Sequence, residues 1–370
     1  MKIKLINGTI LNLAENGGKA ADIVIDNSII IFMGDAKDIL CDETIDCKGK
    51  LIVPSFTDIH VHAFPKKTAL GLSADKIGIR QGVSTVIDAG SAGCDDYPEF
   101  YKEVIEKSST NVKAFINYSK IGLTKDGKEL SDTAYFNEEK LFNTIREFKE
   151  TIVGIKLRAS GSVVGSLGME AVKKGIDFAR KVNLPVMIHV GNAPPALEEI
   201  LPLLQRGDII THIFHGKKGG ILDDYGKVKK LVENKYQEGV LYDVGHGAAS
   251  FNFKTAEKAI KEGLVPFTIS SDIHARNFGT KVKSLTEVMT KCLICGMEKE
   301  AVLKAATINP CFITGNNADI SEGNKASLAV VELINKEAVY EESSEEVFSS
   351  PISFNILYAT DKFGNLLQID

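Results

Sequence analysis

Residues 51–62 read LIVPSFTDIHVH. Three apolar β-formers, Leu51, Ile52 and Val53, run into Pro54, and a short extended stretch over 56–62 then ends in two histidines one residue apart. Side chains of a strand alternate between faces, so His60 and His62 point the same way while Val61 turns into the opposite layer. Two imidazoles on one face at the end of a strand make half of a metal site; the plainer reading is a histidine pair satisfied within the core. The positions of the other histidines decide between the two.

The chain has 370 residues, 44% of them hydrophobic and 25% charged, which suits one large domain with an appendage. Net charge is −5 with both signs interspersed, so neither nucleic acid nor an anionic membrane is an expected partner. No apolar run approaches the roughly 18 residues that span a bilayer. The opening MKIKLINGTILN alternates like a strand rather than a signal peptide, and the expected location is cytoplasmic. Six cysteines, Cys41, Cys47, Cys94, Cys292, Cys295 and Cys311, are scattered and read as free thiols. Cys292 and Cys295 form a CxxC, but within an apolar stretch of helical period and without a second pair, so they read as core.

Residues 1–50 look like short strands, MKIKLING, TILNL, ADIVIDNSIIIFMG and ETIDCKGKLIV, punctuated by Asn-Gly and Gly-Gly turns. They are too few to stand alone. SLAVVEL and SFNILYATD near the other end read as strands too, which predicts a small discontinuous β-sandwich-like domain made of 1–50 plus 318–370. Between them, over 51–317, strand-like runs at 56–62, 83–89, 112–118, 153–159, 185–191, 209–214, 240–245 and 267–274 alternate with helical candidates at 98–108, 137–149, 169–182, 195–204, 227–235 and 255–262. Eight strands alternating with helices over about 260 residues predict an α/β fold, a (β/α)8 TIM-like barrel, with its site at the C-terminal ends of the strands.

All seven histidines fall at such ends or just beyond them: His60 and His62 on the first strand, His189 on the fifth, His212 and His215 on the sixth, His246 on the seventh and His274 on the eighth. Asp272 closes FTISSD on the eighth. Lys156 lies within the apolar VGIKLRAS of the fourth, with Arg158 two residues further on the same face. A lysine and an arginine turned into a barrel need partners. The alternative for Lys156 is a packed stem with its ammonium reaching out to solvent.

FTDIHVH after a β-rich leader, Lys156 in GIK, single histidines ending the fifth and sixth strands and Asp272 in SSD together resemble the amidohydrolase superfamily, in its binuclear-metal branch. The resemblance spans nearly the whole chain. It implies that His60, His62 and Asp272 bind the more buried metal, that His189 and His212 bind a second, and that Lys156, carboxylated by carbon dioxide, bridges them. Two divalent ions are implied, zinc suiting imidazole and carboxylate donors best. A metal-bridging hydroxide would attack a carbonyl docked on the second ion, and Asp272 would pass the proton to the leaving nitrogen. Ser55 follows Pro54 where many members have glycine, and Ala326-Ser327 replaces a common Ala-Asp pair; neither touches a proposed ligand.

Substrate class is read from what is missing. Dihydroorotases of this superfamily carry an arginine two positions after the second histidine, where this chain has Phe64. Mononuclear aminohydrolases lack the bridging lysine and commonly place a glutamate near the fifth strand, where this chain continues Val190-Gly191-Asn192-Ala193. Arg158 offers a planar fork for a substrate carboxylate, the alternative being an acid on a neighbouring strand. The small, flexible turn around His246 and Gly247 suits close approach of a ligand to the backbone. KLR on the fourth strand, THIFHGKKGGILD after the sixth and DVGHGAASF on the seventh look similar to amidohydrolases that deacetylate N-acetyl amino acids or O-acetyl hydroxy acids, often labelled adenine deaminase or dihydroorotase. The expected reaction is therefore hydrolysis of the acyl amide or ester of a small acylated acid. Alternatives are a cyclic-amide hydrolase of hydantoinase or dihydroorotase type, an aminohydrolase of adenine deaminase type and, from another class, an inactive assembly relative, for which no ligand is missing. His215, His246 and His274 would orient substrate or fix ligands. The stretch 216–225 reads as a solvated loop, alternatively as a mobile cover. Assembly into a homo-oligomer stays open.

Overall fold

Strands that are buried on both faces need a covering layer on each side, and the long apolar runs of the chain's middle meet that requirement in a parallel sheet. In the computed structural model, which describes residues 1–11, 18–124, 127–343 and 346–369, seven strands lie side by side in sequence order. They are Phe56–Val61, Val83–Ala89, Asn111–Asn117, Ile152–Ala159, Val186–Val190, Ile209–Thr211 and Leu241–Asp243. Every neighbouring pair is parallel. A buried cluster of Ile59, Ile87, Ala89, Phe115, Met187 and Ile209 joins five of these strands on one face, while a larger cluster fills the space between sheet and helices.

The eighth expected strand, 267–274, forms no ladder. It makes a single parallel bridge to each edge of the sheet, Asp243↔Thr268 and Val61↔Ile273. Its hydroxyls are spent on carboxylates: Thr268 and Ser270 donate to Asp243, and Ser271 donates to Asp58. Asp272 then takes a left-handed backbone, φ 48°, which ends any extended run. The sixth and seventh strands are shorter than the expected 209–214 and 240–245 for the same reason, because His212 at φ 71° and Gly245 at φ 51° turn the chain at their ends.

Amphipathic helices lie between the strands. Phe253–Lys261 buries Phe253, Ala256, Ala259 and Ile260, one stripe of helical period, and its first turn is capped by the Asn252 side chain accepting from the Thr255 amide. The expected 195–204 helix is reduced to Leu197–Ile200 followed by a 3-10 turn, Leu201–Leu203, with a proline in that turn. Cys292 and Cys295 are buried free thiols in and just after helix Leu285–Ile294.

The chain ends meet in a six-stranded sheet ordered Leu366–Gln368, Val347–Thr360, Leu328–Glu341, Leu51–Pro54, Thr9–Leu11, Gly18–Ala20. A four-stranded sheet, Ile29–Gly34, Asp22–Asp26, Lys2–Ile6 and Glu43–Asp46, accompanies it. Positions 12 and 13 of the expected TILNL strand lie outside the described residues. Two of the C-terminal strands run for 14 residues each, far beyond SLAVVEL and SFNILYATD. Their far end reaches the loop after the seventh parallel strand, where the Ser343 amide donates to Phe251 O at 3.1 Å and Glu342 accepts from the Phe253 amide and from Asn252 Nδ2. No helix among the described residues is long and apolar enough to cross a membrane.

Candidate metal centre

The first strand delivers His60 and His62 to one place, as alternation requires: their Nε2 atoms stand 3.5 and 3.4 Å from Oδ1 of Asp272. One ligand atom each from His60, His212 and Asp272 lies within 4.8 Å of the others. The His189 ring packs edge-on to His212, centroids 4.2 Å apart, and Lys156 Nζ lies 3.2 Å from His60 Nε2. His60, His62, Lys156, His189, His212 and Asp272 thus converge from five chain segments.

The neighbours of each ring determine which nitrogen faces this centre. Thr211 Oγ1 donates to Asp243 Oδ2 at 2.6 Å, so the same oxygen accepts from His60 Nδ1 at 3.0 Å and leaves the Nε2 lone pair inward. His212 Nδ1 meets the carbonyl of Gly245 at 2.6 Å; a carbonyl only accepts, so Nδ1 carries the proton and Nε2 is a free lone pair. That Nε2 is buried without a hydrogen-bond partner among the described residues. An orphaned buried acceptor is costly, and a cation beside His60 and Asp272 would satisfy it. The donor set therefore fits a metal.

Electrostatics agree with that assignment. Burial, then the neighbouring Lys156, holds His60 well below the usual imidazole range; burial, then His212, does the same to His189. Burial brings His212 down to about 4. All three are neutral donors near neutral pH. Burial brings the Lys156 amine down to about 7, against the opposing pull of Asp272 and Asp243, so a substantial neutral fraction exists. Burial alone would raise the Asp272 carboxyl, but His60 and the hydrogen bond from His62 outweigh it and hold the group well below its usual range.

Two glycines permit this packing. A Cβ on Gly245 would fall 2.1 Å from Thr211 Oγ1, and one on Gly247 would fall 2.5 Å from Asp272 Oδ2; both residues have positive φ. Gly247 accordingly borders the centre. His246 does not offer a ring edge to it: Nδ1 meets Gly247 O at 2.8 Å, Nε2 meets the buried Lys291 Nζ at 2.9 Å, and the ring stacks on Phe251. The expected substrate contact from His246 is thus replaced by a supporting one.

Arg158 also departs from expectation. Its Nε and Nη2 hold the two oxygens of Glu129 at 2.5 and 3.0 Å, with Nη2 also 3.1 Å from Gly127 O, so its fork is already filled by an acid. That acid comes from a loop rather than from a neighbouring strand. His215 accepts from the Lys217 amide at 3.2 Å, and His274 accepts from the Arg276 amide, also at 3.2 Å, with its ring 6.2 Å from that of His62.

Three buried acids that brace the donors escaped the sequence reading, besides Glu129. Asp58 accepts from the Ser271 amide and hydroxyl and from the His60 amide, Asp88 accepts from the Ala63 and Ser91 amides, and Asp243 gathers Thr211, Thr268 and Ser270. Each ties the backbone carrying a donor to an adjoining strand. Asp58 was within reach, since in DIHVH it shares the face of His60 by alternation.

A model of the amidohydrolase family matches residues 51–358, and the chain belongs to that family, hydrolases of carbon–nitrogen bonds. Among curated relatives, a deacetylase of Brucella anthropi is 36% identical over 309 residues, 82% of this chain and 77% of the relative. A deacetylase of Agrobacterium fabrum is 36% identical over 86% of this chain and 79% of its own. Among solved structures, the crystal structure of a dihydroorotase superposes with a TM-score of 0.95 at 32% identity, covering 100% of this chain and 98% of that one. That of an adenine deaminase superposes with a TM-score of 0.92 at 30% identity over 99% of each.

Proposed function

We propose that the protein is a metal-dependent deacylase that hydrolyses the acyl, chiefly acetyl, amide or ester bond of a small N-acyl amino acid or O-acyl hydroxy acid. The observation that carries the metal dependence is the buried, partnerless His212 Nε2 beside His60 and Asp272. The reaction class is supported by relatives named deacetylase at 36% identity and by Phe64 standing where a dihydroorotase would carry arginine. We also read the two bridges of 267–274 as closing the parallel sheet into a (β/α)8 barrel, with the terminal sheets forming the small domain.

His60, His62 and Asp272 would hold one ion and His189 and His212 a second. Lys156, neutral in part and facing His60, would add carbon dioxide at Nζ and supply a carbamate between the two sets. Two divalent ions, most readily zinc, supply when bound a Lewis acid and a means of ionising water near neutral pH. Asp272 presents Oδ1 to the histidines, while Oδ2 faces the open backbone of Gly247. Asp272 accepts the proton of the attacking water and releases it to the leaving nitrogen or oxygen. Asp58, Asp88 and Asp243 keep the donor-bearing backbone from shifting as charge develops.

The test is acetate release from a panel of N-acetyl and O-acetyl acids of both hands. Turnover of hydantoins or dihydropyrimidines instead would replace this reading with cyclic-amide hydrolysis.

A further inference from the structure

An acylated acid carries its carboxylate only three bonds from the acyl carbon, about 3 to 4 Å away on backbone dimensions, so a cation must stand close to the metal ligands to bind it. Arg158, the cation nearest in sequence to Lys156, is engaged by Glu129. Lys217 is not engaged. It lies in GKKGG just after the sixth strand, half-buried, and among the described residues its ammonium has no hydrogen-bond or ion-pair partner and no acid close enough to act on it. Lys229, Lys230 and Lys235, further along, each pair with a glutamate.

The Lys217 ammonium lies beside Gly191, just past the fifth strand. A methyl group on Gly191 would lie 3.6 Å from Lys217 Nζ and 3.6 Å from His189 Nε2, so both nitrogens border one small space and lie at most twice that distance apart. His189, Gly191 and Asp272 are only partly buried, whereas His60, His62 and His212 are buried, which puts the open side of the centre here. The loop is held in this position from within: the Lys217 amide donates to His215 Nδ1, and Gly220 packs against the His215 ring.

We propose that Lys217 is the specificity-determining residue that captures the α-carboxylate of the acylated acid, with Gly191 leaving the space between it and His189 for the substrate's own chain. This rests on the deacylase reading for its substrate class. An ammonium without an acid partner among the described residues and partly withdrawn from water is ready to form a charge-assisted hydrogen bond, and a neutral substrate would leave it unpaired.

The test is calorimetric binding to the metal-loaded protein, using an N-methanesulfonyl amino acid, which is not hydrolysed, and its carboxamide. Lys217→Met is expected to raise Kd for the acid about tenfold to a hundredfold and to leave the carboxamide within about twofold, with Lys217→Arg recovering much of the acid's affinity. In turnover, Lys217→Met would raise KM for N-acetyl acids far more than it lowers kcat. Equal effects on acid and carboxamide, no effect on either, or a wild type that binds neither would overturn the assignment. A wild type that binds the acid in a Lys217-dependent way but releases no acetate would uphold Lys217 and remove only the deacylase reading.

Discussion

Arg158 closes its guanidinium on the carboxylate of Glu129, Nε at 2.5 Å and Nη2 at 3.0 Å, with the Glu129 side chain wholly buried. The pair anchors the 127–131 loop to the fourth strand two residues from Lys156. Arg158→Met would leave a buried carboxylate without its cation and should cost about 3 kcal/mol in denaturant unfolding. It should raise KM for acids and neutral amides to a similar degree. A KM increase confined to acids, with stability unchanged, would return Arg158 to substrate binding.

Asp272 touches both histidines of the first strand and is the proposed proton carrier. Asp272→Asn keeps the shape and one oxygen but cannot accept a proton, so kcat should fall by about 100-fold to 10,000-fold while metal content, read by plasma emission, stays near that of the wild type. An active Asp272→Asn variant would exclude this proton route.

Lys291 is completely buried, with Nζ 2.9 Å from His246 Nε2, 2.8 Å from Glu287 Oε1 and 2.8 Å from Glu341 O. It thus joins helix Leu285–Ile294, the long C-terminal hairpin and the loop that sets Gly247 against Asp272. Lys291→Met should destabilise the protein by about 3 to 5 kcal/mol, and adding Glu287→Gln should cost less than the two changes separately. Strict additivity in urea titrations would show that the two charges are not coupled.

Asp58 is buried, and burial, opposed by hydrogen bonds from Ser271 and His60, raises its carboxyl to about 7. Between roughly pH 4 and 7 the folded protein therefore retains a proton that the unfolded chain has released, and stability is lost as pH rises through that window. In metal-free protein, the stability of Asp58→Asn relative to the wild type should increase from pH 5 to pH 8. A difference that stays flat or shrinks over that range, measured by denaturant midpoints, contradicts the assignment.

The parallel sheet and the strand-end positions of the donors were legible from local pattern, whereas the grouping of those donors into a metal centre came from the family resemblance. Apolar runs of strand length alternating with helical stripes define the layers, and a histidine or aspartate at the end of such a run is carried to the C-terminal edge of the sheet. The eighth strand was misread because FTISSDIH looks extended, while its hydroxyls bond sideways to Asp243 and Asp58 and Asp272 turns to a left-handed backbone, neither of which a local pattern announces. Glu129 was illegible as the partner of Arg158, since it lies 29 positions away in a loop without periodicity. His246 had the right strand end but the wrong direction, because its orientation is set by Lys291, a lone cation within an apolar helix. The C-terminal hairpin was underestimated where serines and glutamates interrupt the apolar alternation at its outer end.

The most direct test is acetate release from N-acetyl and O-acetyl acids by protein purified without chelator, with its metal counted by plasma emission before and after chelation. About two divalent ions per chain are expected, with acetate released, and both lost together on chelation and restored together by zinc. Acetate release that persists in metal-free protein, or a fully loaded protein that releases none from any acylated acid, would contradict it.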